Sequence, residues 1–281
     1  MFLRNLTRLL IVWLFSHNCL AHDPNEGSHK DVQSIATAQY LGNEAILFIH
    51  QNTKILFDPF FHKNFGIYQL VPEEIKQAIM FGKAPYNDID AIFISHAHDD
   101  HFTAKDVADY LKRHTATKLF CSKQAAELLR PLVSQEIAQQ QIIAISLNYQ
   151  EKPWYKKFDK LIVEAVRIPH AGWPSRAEVE NLVFRVTLNE TVTIMHMGDA
   201  DPDDDHFIFH QNYWQKRLSH LNLPPYWFYF SAQGRDILNT RVNAKKHVGI
   251  HVPVKVPNQL KNGKYHYFSK VKEETKIILK Q

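Results

Sequence analysis

The sequence predicts an α/β (α+β) protein in which helices are layered against sheet. Residues 89–147 alternate apolar strands with helical patterns in the order β-α-β-α-β. Residues 36–59 and 160–197 are strand-rich, with short turns between the runs, as in hairpins. No repeat, low-complexity tract or linker divides the chain, so one mature domain, 36–256, is expected.

Taken in order, Thr37 to Leu41 and Ala45 to His50 read as strands. Gln51-Asn52-Thr53 turns into a third, Lys54 to Pro59, where the proline ends the pairing. Residues 60–71 are aromatic and irregular, either a packed loop or a lid over a site. Pro72 opens a short helix, Glu73 to Phe81. Ile89 to Ile94 is an apolar, buried-type strand. Helix 103–113, strand 118–121, a helix capped by Ser122, a helical piece from Val133 to Gln140 and strand 141–147 follow. Strands 160–168, 181–188 and 192–197 come next, the last two joined by a turn at Asn189-Glu190. A helix over 206–221 follows the acidic stretch Asp201 to Asp205. A buried strand over Tyr226–Phe230, a helical stretch near 233–245 and a strand from His247 to Val252 complete the domain. The lysine-rich tail, 257–281, is expected to face solvent.

The chain has 281 residues, 45% of them hydrophobic, which suffices for a sizeable core. A formal charge of +4 gives no reason to expect a nucleic-acid partner. The 17 histidines favour metal chemistry, since imidazole is the commonest metal ligand. The N-terminus reads as an export signal: Arg4 and Arg8, then the apolar Leu9 to Phe15, then Cys19 and Ala21 as small residues at a cleavage site. That run is shorter than the about 20 residues of a membrane span, so the mature form is expected to have none; a retained anchor is the alternative. Removal of residues 1–21 places the protein in the periplasm or outside the cell, behind a loose segment, 22–35. It leaves Cys121 as the sole cysteine, in a strand and unreactive.

The chemistry is densest at His96-Ala97-His98-Asp99-Asp100-His101, on the loop from strand to helix. In an extended loop His96 and His98 point the same way and reach one ion, while Asp100 and His101 reach a second. Three further strand ends carry ligand-type residues: His170 after Ile168-Pro169, Asp199 after Met197-Gly198, and His251 before Val252-Pro253. His196 falls on the other face of its strand from Asp199 and reads as structural.

These residues resemble the metallo-β-lactamase fold superfamily, whose His-x-His-x-Asp-His pattern the loop fits. Asp58, His170, Asp199 and His251 match the family's other motifs in order, and the likeness runs from about Ala36 to Pro253. It implies a four-layer αββα sandwich and a binuclear hydrolase using a metal-bridging hydroxide. His96, His98 and His170 would hold one divalent ion, and Asp100, His101 and His251 the other, with Asp199 between them. Zinc is expected, and manganese or iron also suits such ligands. Asp58 would steady the ligands from behind, and His247, four residues before His251, would do the same or replace it. Asp100 would orient the attacking oxygen and relay its proton. Trp173, Arg176 and Arg235 are candidates for substrate contacts. The Asp58-Pro59 and His170-Ala171-Gly172 contexts look most similar to the branch of ascorbate-phosphate lactonases and N-acyl-phosphatidylethanolamine phospholipase D. The implied substrate is a small or lipid-derived ester, lactone, amide or phosphodiester. A phosphodiesterase on a phospholipid or nucleotide is the narrower alternative, and a non-catalytic metal-binding protein the remaining one.

Overall fold

Three antiparallel strands, β1 (Ser34–Gly42), β2 (Ala45–His50) and β3 (Thr53–Phe57), start the chain's first sheet. The computed structural model describes residues 34–279. The expected export signal and cleavage site at Ala21 lie outside them, as does the segment 22–35 except for Ser34 and Ile35, which open β1. Turns at Asn43-Glu44 and Gln51-Asn52 are made by residues with positive φ at Asn43 and Gln51, as tight hairpins require.

The sheet grows through parallel strands β4 (Ala91–Ile94), β5 (Lys118–Ser122) and β6 (Ile142–Ile145). Helices α1 (Glu73–Met80), α2 (Ala104–Arg113), α3 (Lys123–Leu129) and α4 (Gln135–Gln140) lie between these strands in sequence. The Ser122 hydroxyl accepts from Ala125 N, so the end of β5 also caps α3. The second sheet has the order β11-β10-β9-β8-β7, from β7 (Trp154–Phe158), β8 (Leu161–Arg167), β9 (Leu182–Leu188), β10 (Val192–His196) and β11 (Leu221–Leu223).

Alternation along the strands sorts the core into three layers. Phe48, Phe57, Phe93 and Phe120 meet Val163, Ala165, Phe184 and Ile194 between the sheets. Leu47, Leu56, Ile92 and Leu119 face the other way, against Ile75, Ile79, Val107 and Leu111 of α1 and α2. Val166, Val183 and Met195 cover the far side of the second sheet, against Phe207, Trp214, Phe228 and Ile237. Helix, sheet, sheet and helix are therefore stacked, the αββα sandwich the sequence implied. Cys121 is buried and free, and burial pushes its thiol up to about 12.

Several elements differ from expectation. The helix expected over 206–221 is two short ones, α5 (Asp204–Ile208) and α6 (Gln211–Lys216), and its last residue is drawn into the sheet as β11, parallel to β10. The Tyr226–Phe230 strand is a 3-10 turn, Tyr226–Tyr229, after Pro225. Helix 233–245 is α7 (Ala232–Asp236) and a π-turn to Arg241. His247–Val252 makes isolated bridges to Asn222, Pro225 and Tyr267 but no ladder. β7 was not expected: its Tyr155, Lys156 and Lys157 are exposed, the polar edge that discourages pairing with another chain. The tail is not simply solvated. It carries α8 (Asn258–Asn262) and β12 (Glu274–Leu279), which pairs antiparallel with β1 and buries every second residue.

Candidate metal centre

Loops at the ends of both sheets deliver the ligand-type residues to one place. The backbone after β3 puts Asp58 beside β4, with Asp58 N bonded to Phe93 O. The histidine loop follows β4 and is tied to the second sheet by Leu182 N to Ser95 O at 2.9 Å. The loops after β8 and β10 pair with each other, Ala171 N to Asp199 O at 2.7 Å and Asp201 N to Pro169 O at 2.8 Å, which sets His170 against Asp199. His251 is drawn in by its N–H to Asn43 O, and Asn43 Nδ2 donates to Asp100 O.

Four groups of donors result among the described residues, two of them containing Glu44 (with His101 and Asp199, and with Asp58 and His196) and two holding the expected ligands. His96, His98, His170 and Asp199 place ligand atoms within 4.8 Å of one another, and so do Asp100, His101 and His251. Asp199 reaches both: its Oδ2 lies 3.1 Å from His170 Nε2, and its Oδ1 lies 3.2 Å from His251 Nε2 and 3.4 Å from His101 Nε2.

The hydrogen bonds behind these rings fix which nitrogens face inward. Asp58 Oδ2 accepts from Ser95 Oγ at 2.6 Å and from His101 Nδ1 at 3.0 Å, so His101 turns Nε2 to the centre. With its proton given to Asp58, Ser95 Oγ accepts from His96 Nδ1 at 3.0 Å, and His96 too presents Nε2. His170 Nδ1 donates to Ala171 O at 2.7 Å. In these tautomers inward-facing nitrogens meet each other and a carboxylate: His96 Nε2 faces His98 Nδ1 at 3.1 Å, and His101 Nε2 faces His251 Nε2 at 3.3 Å. His170 Nε2 and Asp199 Oδ1 are buried without a hydrogen-bond partner. Ring nitrogens and carboxylate oxygens converging this closely need a shared proton or a cation between them, and imidazole and carboxylate suit zinc or a similar divalent ion.

Without an ion, protons take that part. Burial works against charge on His101, but Asp199, Asp58, Glu44 and Asp100 outweigh it and push the ring up to about 9. His251 is likewise raised despite burial, chiefly by Asp199. Burial and then the neighbouring His101 hold His96 well below its usual range. Burial opposes the charge on Asp199, yet His251 and His101 hold it well below the ordinary carboxylate range.

A cavity of about 620 Å³ opens over these groups. His98, Asp100, Asp199 and His251 line it, together with Phe65, Ile67, Tyr68 and Arg176. The 60–71 loop is packed at its start, where Phe60 and Phe61 are buried, and its residues Phe65, Ile67 and Tyr68 border the cavity. Tyr68 and Trp227 pack against His251, with ring centroids 4.0 and 5.2 Å away.

Three sequence candidates lie elsewhere. Trp173 packs against Tyr149 and His206 and does not line the cavity. His247 turns Nδ1 to Asn222 at 3.1 Å, and it borders a different cavity, together with Arg235. In an extended chain four residues apart would share a face; the segment makes only isolated bridges, and positive φ at His251 turns it out of line.

Two residues escaped the sequence. Glu44 lies at the β1–β2 turn, is fully buried and has no partner for either carboxylate oxygen. Burial and Asp199 raise its carboxyl well above the usual range. Asn181 Nδ2 donates to Ile168 O and Met197 O, while its Oδ1 accepts from Asp199 N. A polar residue at a turn and another at a strand start carry no signal of such roles. His196, expected to be structural, is buried and bonded through Nε2 to Glu44 O at 3.0 Å.

Residues 37–213 match the family model of the beta-lactamase superfamily domain. The chain belongs to that superfamily. The matched span holds every ligand-type residue of the centre except His251. Superfamily and donor set agree on the enzyme class, a metal-dependent hydrolase. Solved structures share the fold at low identity. The metallo hydrolase Igni18 from the archaeon Ignicoccus hospitalis is 14% identical, with a TM-score of 0.55 over 86% of this chain and 98% of its own. An isothiocyanate hydrolase from Delia radicum gut bacteria is 13% identical, with a TM-score of 0.53 over 85% of this chain and 98% of that one. A protein of Veillonella parvula described as a possible metal-dependent hydrolase is 13% identical, with a TM-score of 0.54 over 86% of this chain and 98% of that one. No curated protein sequence matches this chain.

Proposed function

We propose that the protein is an exported binuclear hydrolase. His96, His98 and His170 would hold one divalent ion and Asp100, His101 and His251 the other, with Asp199 shared. The observation that carries this is the placement of Asp199, one oxygen toward His170 and the other toward His101 and His251. Bound there, such ions acidify a water and polarise the electrophile's oxygen. The chain does the rest. Asp58 and Ser95 lock the imidazoles in the tautomers that bind metal. Asp100, which lines the cavity 3.5 Å from His251, would orient the attacking oxygen and accept its proton. Phe65 and Ile67 offer apolar surface to the substrate, and Arg176 offers a cation to an anionic group.

The substrate class that fits is a carboxylic ester, lactone, amide or phosphodiester with an apolar part. Arg176 in the cavity favours the phosphodiester among these, as does the branch resemblance at Asp58-Pro59 and His170-Ala171-Gly172. The test is metal analysis of the purified protein with a screen of phosphodiester, lactone, amide and β-lactam substrates, with and without chelator. About two ions per chain and chelator-sensitive turnover are expected. A folded protein free of metal, or turnover indifferent to chelator, refutes the reading.

A further inference from the structure

Arg235 and His247, marked in the sequence for the metal centre, instead border a separate cavity of about 430 Å³. No residue lines both cavities. The second one gathers four cationic side chains, Arg235, Lys245, Lys246 and Lys264, and no carboxylate lines it. Some arginines elsewhere are neutralised: Arg185 and Arg217 pair with Glu164, and Arg241 with Asp204. Among the described residues, none of the four cavity cations makes such a pair. Like charges around one concave surface repel each other and focus a positive potential that an anion relieves.

The lining suits more than a bare ion. Tyr229 and Tyr265 stack at 4.6 Å, and Leu238 is buried beside them. Gly249 makes room for that wall, since a Cβ there would stand 2.7 Å from the Tyr229 ring. Arg235 is half-buried and anchored by Nη1 to Tyr229 O at 2.9 Å, which leaves the rest of its guanidinium free. Burial lowers His247 to about 4, so its ring is a neutral part of the wall.

We propose that this cavity is a second ligand site that takes a phosphate monoester bearing an apolar or aromatic group. A dianion answers several cations at once, an arginine fork and lysine points suit phosphate, and the tyrosine pair accepts the organic part. The site stands apart from the metal centre and does not depend on the hydrolase reading.

The test uses the protein as purified and phenyl phosphate, titrated by calorimetry against wild type and the double variant Lys245→Glu/Lys264→Glu. Both lysines are exposed, so folding and metal content are expected to be unchanged. Any phenyl phosphate bound at the metals is common to both proteins, and the difference reports the second cavity. At least a tenfold loss of affinity is expected in the variant. A parallel arm measures sedimentation with phosphatidylcholine vesicles with and without phosphatidic acid. Sedimentation that needs phosphatidic acid and is lost in the variant assigns the phosphate to a lipid headgroup; loss of phenyl phosphate binding alone assigns it to a soluble ester. Affinities within twofold of each other in both arms, or no binding in either, overturn the proposal.

Discussion

Glu44 Oε2 lies 3.7 Å from His101 Nδ1, and neither side chain is exposed to solvent. The His101 proton is directed to Asp58 at 3.0 Å, so Glu44 makes no hydrogen bond to the ring and acts on it only when ionised, a state that burial and Asp199 oppose and that cations in the centre would favour. A carboxylate buried without a partner costs stability, and cations in the centre above would offset that cost. Glu44→Gln keeps the shape and removes the charge. Metal affinity, measured by competition with a chromophoric chelator, is expected to fall by about tenfold or more, the usual scale for groups behind the ligands. The melting temperature of the metal-free variant is expected not to fall. Unchanged affinity would remove Glu44 from the metal centre.

Asp58 satisfies three buried donors: Ser95 N, Ser95 Oγ and His101 Nδ1. Asp58→Ala leaves them unpaired and lets His96 and His101 change tautomer. A loss of about 3 kcal/mol or more in metal-free stability is expected, since each of the three orphaned donors costs about 1–3 kcal/mol. Asp58→Asn tolerates the positive φ at this position, so it should fold better yet still hold metal more weakly. Denaturant unfolding and metal competition on both variants separate the two effects.

The raised imidazoles predict how the metal-free protein responds to alkali. His101, at about 9, and His251 bind protons more tightly folded than unfolded. Their contribution is complete below the unfolded value of about 6.5 and is lost as pH rises through the folded values. The lowered histidines, such as His96, His210 and His247, have the opposite sign, but their effect is finished above about pH 7. From about pH 7.5 to about 9 the melting temperature of chelator-treated protein should therefore fall. The metal-loaded protein should not follow it, because metals replace those protons and bind better as pH rises. Parallel decline of both forms would contradict this.

The sequence showed the ligand residues because they sit where apolar strands stop, and strand ends in such sheets converge. Their spacing and the alternation of Ile92 with Phe93 are local properties. What was not legible is set by distant contacts. Leu221 reads as the last residue of a helix, and Leu221–Leu223 becomes β11 only because β10 offers it an edge. The aromatic run at Tyr226 is apolar on every side and fits strand or turn equally. Tail residues 274–279 alternate but look unremarkable until β1 pairs with them. Glu44 belongs to a two-residue turn, a place where glutamate is ordinarily solvated.

Gly198 shows how tightly the backbone holds Asp199. Its φ is +52°, and a Cβ there would lie 2.4 Å from Asn181 Oδ1 and 2.8 Å from Ser95 Cβ. Asn181 cannot move aside cheaply, because its amide ties Ile168 O to Met197 O while its Oδ1 holds Asp199 N. Ser95 cannot move without disturbing Asp58 and both imidazoles behind it. Gly198→Ala therefore forces apart the two loops that bring Asp199 to His170 and His251. Metal binding should drop at the shared carboxylate, with about one ion retained per chain or none, and turnover should be lost. Stability should fall by about 1–3 kcal/mol from overpacking and the strained φ. Asn181→Leu should lose metal in the same way while leaving φ at 198 relaxed, which distinguishes loss of the clamp from backbone strain. Two retained ions in both variants, by elemental analysis after gel filtration, would show that Asp199 does not need this support.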